Sequence, residues 1–148
     1  MTTKKTKLID RGKVADRIMD IKNALVELKP YQIMSLEEFK ANKNNFPLAS
    51  YWLRIAIEAV LTISTHILSR LPTNGKQKDY TQTILSLADY GVLPPDFAQK
   101  IRGMASVRNR LVHLYWKIKP KDILKIIKND LEDFNQFIKY INDFLENN

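Results

Sequence analysis

Apolar residues recur along this chain at spacings of three and four, and nowhere in the two-residue alternation of a half-buried strand. The pattern predicts helices throughout. Val14, Ile18, Ile21, Leu25 and Leu28 form one apolar face, and Pro30 is expected to end that first helix. Ser35 with Glu38 three residues on is a capping-box pattern opening a short second helix, which the Asn-Lys-Asn-Asn run at 42–45 interrupts. From about Pro47 to Leu71 the chain is apolar on nearly every side. Leu53, Ile57, Val60, Ser64, Ile67 and Leu71 keep a heptad-like rhythm, with Ile55, Ala59 and Ile63 on another face. Such a helix belongs at the centre of a bundle.

One line of that helix breaks the pattern. Arg54, Glu58, Thr62, His66 and Arg70 fall at steps of four and stack along a single polar stripe. Two readings stay open. The stripe is a solvated face with an Arg54–Glu58 pair worth roughly a few tenths of a kcal/mol, or it is a polar wall facing a cleft, with His66 and Arg70 lining the opening.

Pro72-Thr73-Asn74-Gly75 reads as a loop, and Asp79 as the cap of a helix reaching about Tyr90, with Gly91 just past its end. Pro94-Pro95 marks the start of the next helix, expected to run unbroken through Phe97, Ile101, Met104, Val107, Leu111 and Leu114. The last helix opens at Pro120 and carries Ile123, Ile127, Leu131, Phe134, Ile138, Ile141 and Leu145 at spacings of three and four. No repeat or shift in composition divides the chain. The expectation is an all-α protein, one domain over 1–148, folded as an antiparallel helical bundle of five to six helices, with residues 1–9 a flexible basic tail.

Composition narrows the chemistry. A chain of 148 residues, 45% hydrophobic and 27% charged, can bury a core without staples. There is no cysteine, hence no disulfide framework and no thiolate zinc site, and two histidines are too few for an ordinary zinc site. No metal and no cofactor is assigned. The basic start has no apolar run behind it, and Glu58, Thr62 and His66 break the longest apolar stretch, where a spanning helix needs about 20 clean residues. A cytoplasmic protein with no membrane partner is expected. The net charge of +8 favours a polyanion, nucleic acid first. Lys4, Lys5, Lys7, Arg11 and Lys13 crowd the start, while Lys117, Lys119, Lys121, Lys125 and Lys128 follow the segment richest in chemistry.

That segment is Arg108-Asn109-Arg110-Leu111-Val112-His113-Leu114-Tyr115. If the helix persists through Tyr115, a wheel puts Met104, Val107, Leu111 and Leu114 on a core arc. Asn109 and His113 then lie opposite with Arg102 and Trp116 near them, and Arg108 and Tyr115 share an adjacent edge. An arginine and a histidine on one cavity can cleave RNA without a metal. The imidazole moves protons near neutral pH, and the guanidinium clamps a phosphate and stabilises charge on the pentavalent transition state. RNA brings its own nucleophile, the 2′-hydroxyl. Arg-x4-His alone is expected by chance in about one chain in seven of this length, but the added Asn and Tyr lower that by roughly a thousandfold. No Gly-rich phosphate loop, HExxH or GxSxG is present.

Arg108-Asn109-x-x-x-His113-x-Tyr115 resembles the signature of the HEPN ribonuclease superfamily, in particular its HepT toxin branch. The 49–71 helix, the Gly91-Val92-Leu93-Pro94-Pro95 turn, Gly103-Met104 and Asp130-Leu131 resemble that branch in the same order. The resemblance covers the chain from about residue 10 onward, and it implies a bundle that dimerises around the motif helix so that two motifs face one cleft. It also implies a metal-independent endoribonuclease with Arg108 and His113 as catalytic pair and Asn109 as polar helper. Arg102, Arg110, Lys117 and Lys119 would be RNA or phosphate contacts. The partner it implies is an MntA-type minimal nucleotidyltransferase antitoxin, which transfers AMP on to the motif tyrosine, here Tyr115. Thr62 stands where that branch often carries an acidic residue, which leaves the role of the polar stripe open. The rival readings are a non-catalytic helical subunit that binds a nucleotidyltransferase, and a basic RNA-binding module without turnover, with Lys117 to Lys128 as its footprint.

Overall fold

The long apolar stretch becomes the axis around which the other helices are laid. In a computed structural model, which describes residues 8–73 and 78–148, the chain forms helices α1 (Arg11–Gln32), α2 (Leu36–Ala41), α3 (Asn45–Arg70), α4 (Tyr80–Asp89), α5 (Pro95–Ile101), α6 (Met104–His113) and α7 (Pro120–Glu146). A 3-10 turn at Tyr115–Lys117 separates the last two, and no strand occurs among the described residues. Lys4, Lys5, Lys7 and most of the expected 1–9 tail, together with Asn74 and Gly75 of the expected loop, lie outside the described residues.

α3 is buried along Leu53, Ile57, Val60, Leu61, Ile63 and Ile67, and α1, α4, α6 and α7 all pack against it. Each such side chain contributes about 1.5–3 kcal/mol on burial. By length and composition alone α3 is apolar enough to cross a bilayer; here its apolar faces are spent on the other helices. α1 and α7 cover it with the faces expected of them. Val14, Ile18, Ile21 and Leu28 are buried, as are Ile123, Ile127, Leu131, Phe134, Ile138 and Ile141, while Leu25 and Leu145 pack at the edge of the core.

The ends of α1 are tied to its neighbours. Arg11 donates to the Leu145 carbonyl at 2.8 Å, and Lys128 Nζ donates to the Gln32 carbonyl at 2.8 Å. α1 therefore runs antiparallel to α7. It runs antiparallel to α3 as well, because the Asp10 amide at its N-cap donates to His66 Nε2 near the end of α3, at 3.0 Å.

Local chemistry sets most boundaries where expected. Ser35 and Glu38 form a reciprocal capping box, and so do Asp79 and Gln82. Gly91 has φ +73°, and the amides of Gly91 and Val92 donate to the carbonyls of Ala88 and Leu87, a Schellman ending.

Three expectations are corrected. Pro30 does not end α1, which continues to Gln32. The ring removes one N–H, but Tyr31 is buried edge-on against Phe39, with ring centroids 5.6 Å apart, and Gln32 is held on α7, so tertiary contacts carry the last turn. The helix expected from Pro95 through the motif is broken at Arg102 and Gly103, giving α5 and α6. Phe97 packs against Tyr140 and Lys100 pairs with the buried Asp133 at 2.9 Å, which holds α5 on α7 while α6 turns towards α3. The motif helix also ends early, at His113.

Two outcomes are expected from these features. Nothing lies within 4 Å of a Cβ built on Gly91, so Gly91→Ala costs backbone strain alone, about 1–2 kcal/mol in a denaturant titration. Burial first, then Lys13 and Arg70, lower the pKa of His66 from 6.5, against an opposing pull from Asp10. The folded state thus favours the neutral imidazole, and its contribution is complete above pH 6.5 and lost as pH falls through the depressed folded value. Denaturation midpoints should therefore fall as pH drops below 6.5, and His66→Gln should flatten that part of the profile.

Candidate functional site

α6 is placed by one apolar edge. Met104, Ala105 and Leu111 are buried and Val107 is partly so, which fixes the rotation of the helix and turns Arg108 inward and Asn109 and His113 outward. The helix stops at His113, and Leu114 is 39% exposed, so it is not part of the core arc. Two interactions compete with continued helix. The ring of Tyr115 stacks on Phe46 at the start of α3, with centroids 5.4 Å apart and planes 11° apart, and Ile118 buries itself in the core. Both require the chain to leave the helical path and enter the 3-10 turn.

Arg108 and Tyr115 therefore do not share an edge. Arg108 is folded back between α3 and α4, with Nε 3.5 Å from Glu58 Oε1 and its guanidinium 5.4 Å from the centre of the Tyr80 ring. Its Nη1 donates to Asn109 Oδ1 at 3.3 Å. Glu58 also meets Arg54, at 3.9 Å. These half-exposed pairs add little stability; what they do is limit where the guanidinium can point. Asn109 borders a cavity of about 750 Å³ with Thr65, Ser69, Tyr80 and Ala105. His113 is exposed, and its side chain makes no hydrogen bond, ion pair or ring contact among the described residues.

Tyr115 is 37% exposed, and it shares a cavity of about 250 Å³ with Pro47, Tyr51, Arg54 and Leu111. Arg54 thus touches the surroundings of Tyr115 on one side and, through Glu58, those of Arg108 on the other. Trp116, which the wheel set beside His113, lies in the 3-10 turn and is 74% exposed. Arg102 sits in the turn before α6 and donates to Gln99 at 3.3 Å, away from the wheel position beside Asn109. Arg110 reaches Asp122 at 4.0 Å, and Lys117 and Lys119 are exposed between the motif and α7.

Both readings of the α3 stripe hold in part. The Arg54–Glu58 pair forms, yet Glu58, Thr62, His66 and Arg70 line a cavity of about 400 Å³ with Arg108. His66 and Arg70 are thus brought to the same opening as the motif arginine. Sequence reasoning missed Glu58 as the partner of Arg108, Tyr80 as its platform and Phe46 as the seat of Tyr115. Glu58 carried a signal, its place on the stripe. Tyr80 and Phe46 carried none, because each acts across a contact distant in sequence.

A model of the ribonuclease HepT-like family matches residues 21–141. A tRNA nuclease HepT from Aphanizomenon flos-aquae (strain 2012/KM1/D3) is 28% identical over 132 residues, which is 89% of this chain and 89% of that protein. YutE from Bacillus subtilis, described as a cytosolic protein of unknown function, superposes with a TM-score of 0.81 at 16% identity, over 95% of this chain and 94% of that one. A tri-AMPylated HEPN toxin of Shewanella oneidensis in complex with its MNT antitoxin gives 0.77 at 21% identity, over 92% and 99%. At these identities the two structures speak to the fold.

Proposed function

The chain belongs to the HepT-like ribonuclease family, and on that premise we propose that it is a metal-independent endoribonuclease acting as the toxin of a toxin–antitoxin pair. The observation that carries the reading is the contrast within one motif: Arg108 is held from three sides, while His113 is exposed at the end of α6. A fixed cation suits a phosphate, and an unengaged imidazole suits proton transfer.

In the reaction, the 2′-hydroxyl attacks the adjacent phosphorus as His113 takes its proton. The bond to the 5′-oxygen breaks, that oxygen is protonated as it leaves, and a 2′,3′-cyclic phosphate remains. Arg108 stabilises the charge on the equatorial oxygens, and Asn109 orients the guanidinium or the phosphate. Lys117 and Lys119, with Arg102 and Arg110, supply a salt-sensitive attraction for the strand.

A second copy of the chain completes the cleft. Leu48, Tyr51, Leu114 and Trp116 are all exposed around the end of the motif, an apolar concentration that a homodimer would cover. A nucleotidyltransferase antitoxin of the MntA type would silence the site through Tyr115. Its phenol oxygen attacks the α-phosphate of ATP, loses its proton and releases pyrophosphate. The AMP then sets a bulky anion beside the place where RNA phosphate must enter.

Purified protein should cleave total RNA in EDTA, and His113→Ala should lose about a hundredfold or more of that rate with an unchanged melting profile, since the side chain is exposed. Equal cleavage by the two proteins would remove His113 from the mechanism, and no cleavage by unmodified wild type would favour a non-catalytic partner-binding subunit. Tyr115→Phe should keep most activity yet continue to cleave after incubation with antitoxin and ATP. Complete silencing of that variant would place control elsewhere.

A further inference from the structure

The cavity of about 400 Å³ beside the motif is lined by Lys13 from α1, Glu58, His66 and Arg70 from α3, Tyr80 from α4 and Arg108 from α6. Its volume suits a single nucleotide unit. Three cations face one carboxylate, and that carboxylate is engaged by Arg54 and Arg108. Lys13 and Arg70 have no carboxylate partner among the described residues, and Arg70 Nε is buried with no hydrogen-bond partner. A buried donor left unpaired is costly, and a guanidinium fork is matched by two oxygens of a phosphate. His66 accepts the Asp10 amide at Nε2, which leaves its Nδ1–H as the one donor it can offer. Tyr80 also forms the wall shared with the larger cavity that Asn109 borders. A polymer leaving Arg108 and Asn109 would pass over an aromatic surface and reach two cations that no carboxylate among the described residues engages.

We propose that this cavity binds the RNA strand next to the cleaved bond, with a phosphodiester between Lys13 and Arg70 and its sugar and base against Tyr80. The inference rests on the ribonuclease reading only for the word cleaved. The binding itself does not require turnover. Arg108 faces both places, so one side chain sets the spacing between the reacting phosphate and its neighbour. A base against Tyr80 needs no particular identity, because every base has a π face. The cavity would add affinity and register, not sequence choice.

The chain has two histidines, one in this cavity and one in the motif, so the two places report separately. The test uses full-length protein and a 2′-O-methyl RNA oligonucleotide, which binds but lacks the nucleophile. Histidine resonances are followed by NMR, and affinity is followed against salt by fluorescence anisotropy. The oligonucleotide should move the His66 resonance as well as that of His113 and raise the His66 titration midpoint, since an anion between Lys13 and Arg70 favours the imidazolium. The double variant Lys13→Gln/Arg70→Gln should bind at least about tenfold more weakly near 0.1 M salt and lose about one unit of the log–log salt slope. Tyr80→Leu should weaken binding with no change in slope.

A shift confined to His113, or a double variant with wild-type affinity and slope, would overturn the proposal. Displacement of the oligonucleotide from His66 by an equal concentration of inorganic phosphate would reduce the cavity to a free-anion site and overturn it too. Cleavage of unmodified RNA, assayed separately, decides the nuclease reading. An inactive wild type whose His66 still responds to the oligonucleotide would sink that reading and leave the cavity standing.

Discussion

A helix that is apolar nearly all round has to be covered on every side, and that requirement governs this protein. α3 cannot be satisfied by one partner, so α1, α4, α6 and α7 are recruited around it. Along one line Arg54, Glu58, Thr62 and Arg70 stay partly exposed, with His66 buried among them. Where four helices must enclose a fifth but cannot dehydrate that line, a cleft opens between them. The position of the site follows from the position of those polar residues. The candidate cleft is the seam that the core does not close.

The same stripe binds stability to chemistry. His66 uses its imidazole to hold the start of α1, while Glu58, two turns earlier, holds Arg108 of the motif. One element thus fixes a helix end and a catalytic candidate through side chains of the same row. Arg54 extends the row towards the stack of Tyr115 on Phe46. A perturbation of α3 in this region would be felt at the arginine and at the surroundings of the tyrosine together, because they share a carboxylate.

Periodicity and end signals made the architecture legible. The core faces of α1, α3 and α7 could be read from spacing, and the ends at Ser35, Asp79 and Gly91 from residue types with specific backbone preferences. The errors cluster where a long-range contact outweighs local preference. Pro30 fails as a terminator because Tyr31 and Gln32 are anchored on other helices. The wheel fails beyond His113 because Phe46, some seventy residues back, draws Tyr115 out of the helix. The motif was visible as residue types, but its geometry was not: whether Arg108 pointed to solvent or into a cleft depended on which residues of α3 and α4 came to meet it.

The break at Arg102 and Gly103 has a consequence for how the motif stays ordered. It leaves α6 as a ten-residue segment, Met104–His113, shorter than the roughly 12–15 residues that an isolated helix needs to persist in water. Its helicity is therefore borrowed from burial of Met104, Ala105 and Leu111. A segment of this kind opens at a smaller free-energy cost than the long helices around it. The relative placement of Arg108 and His113 is thus a cooperative property of α6 docked on α3. Local undocking would disassemble the site while α1, α3 and α7 remained folded.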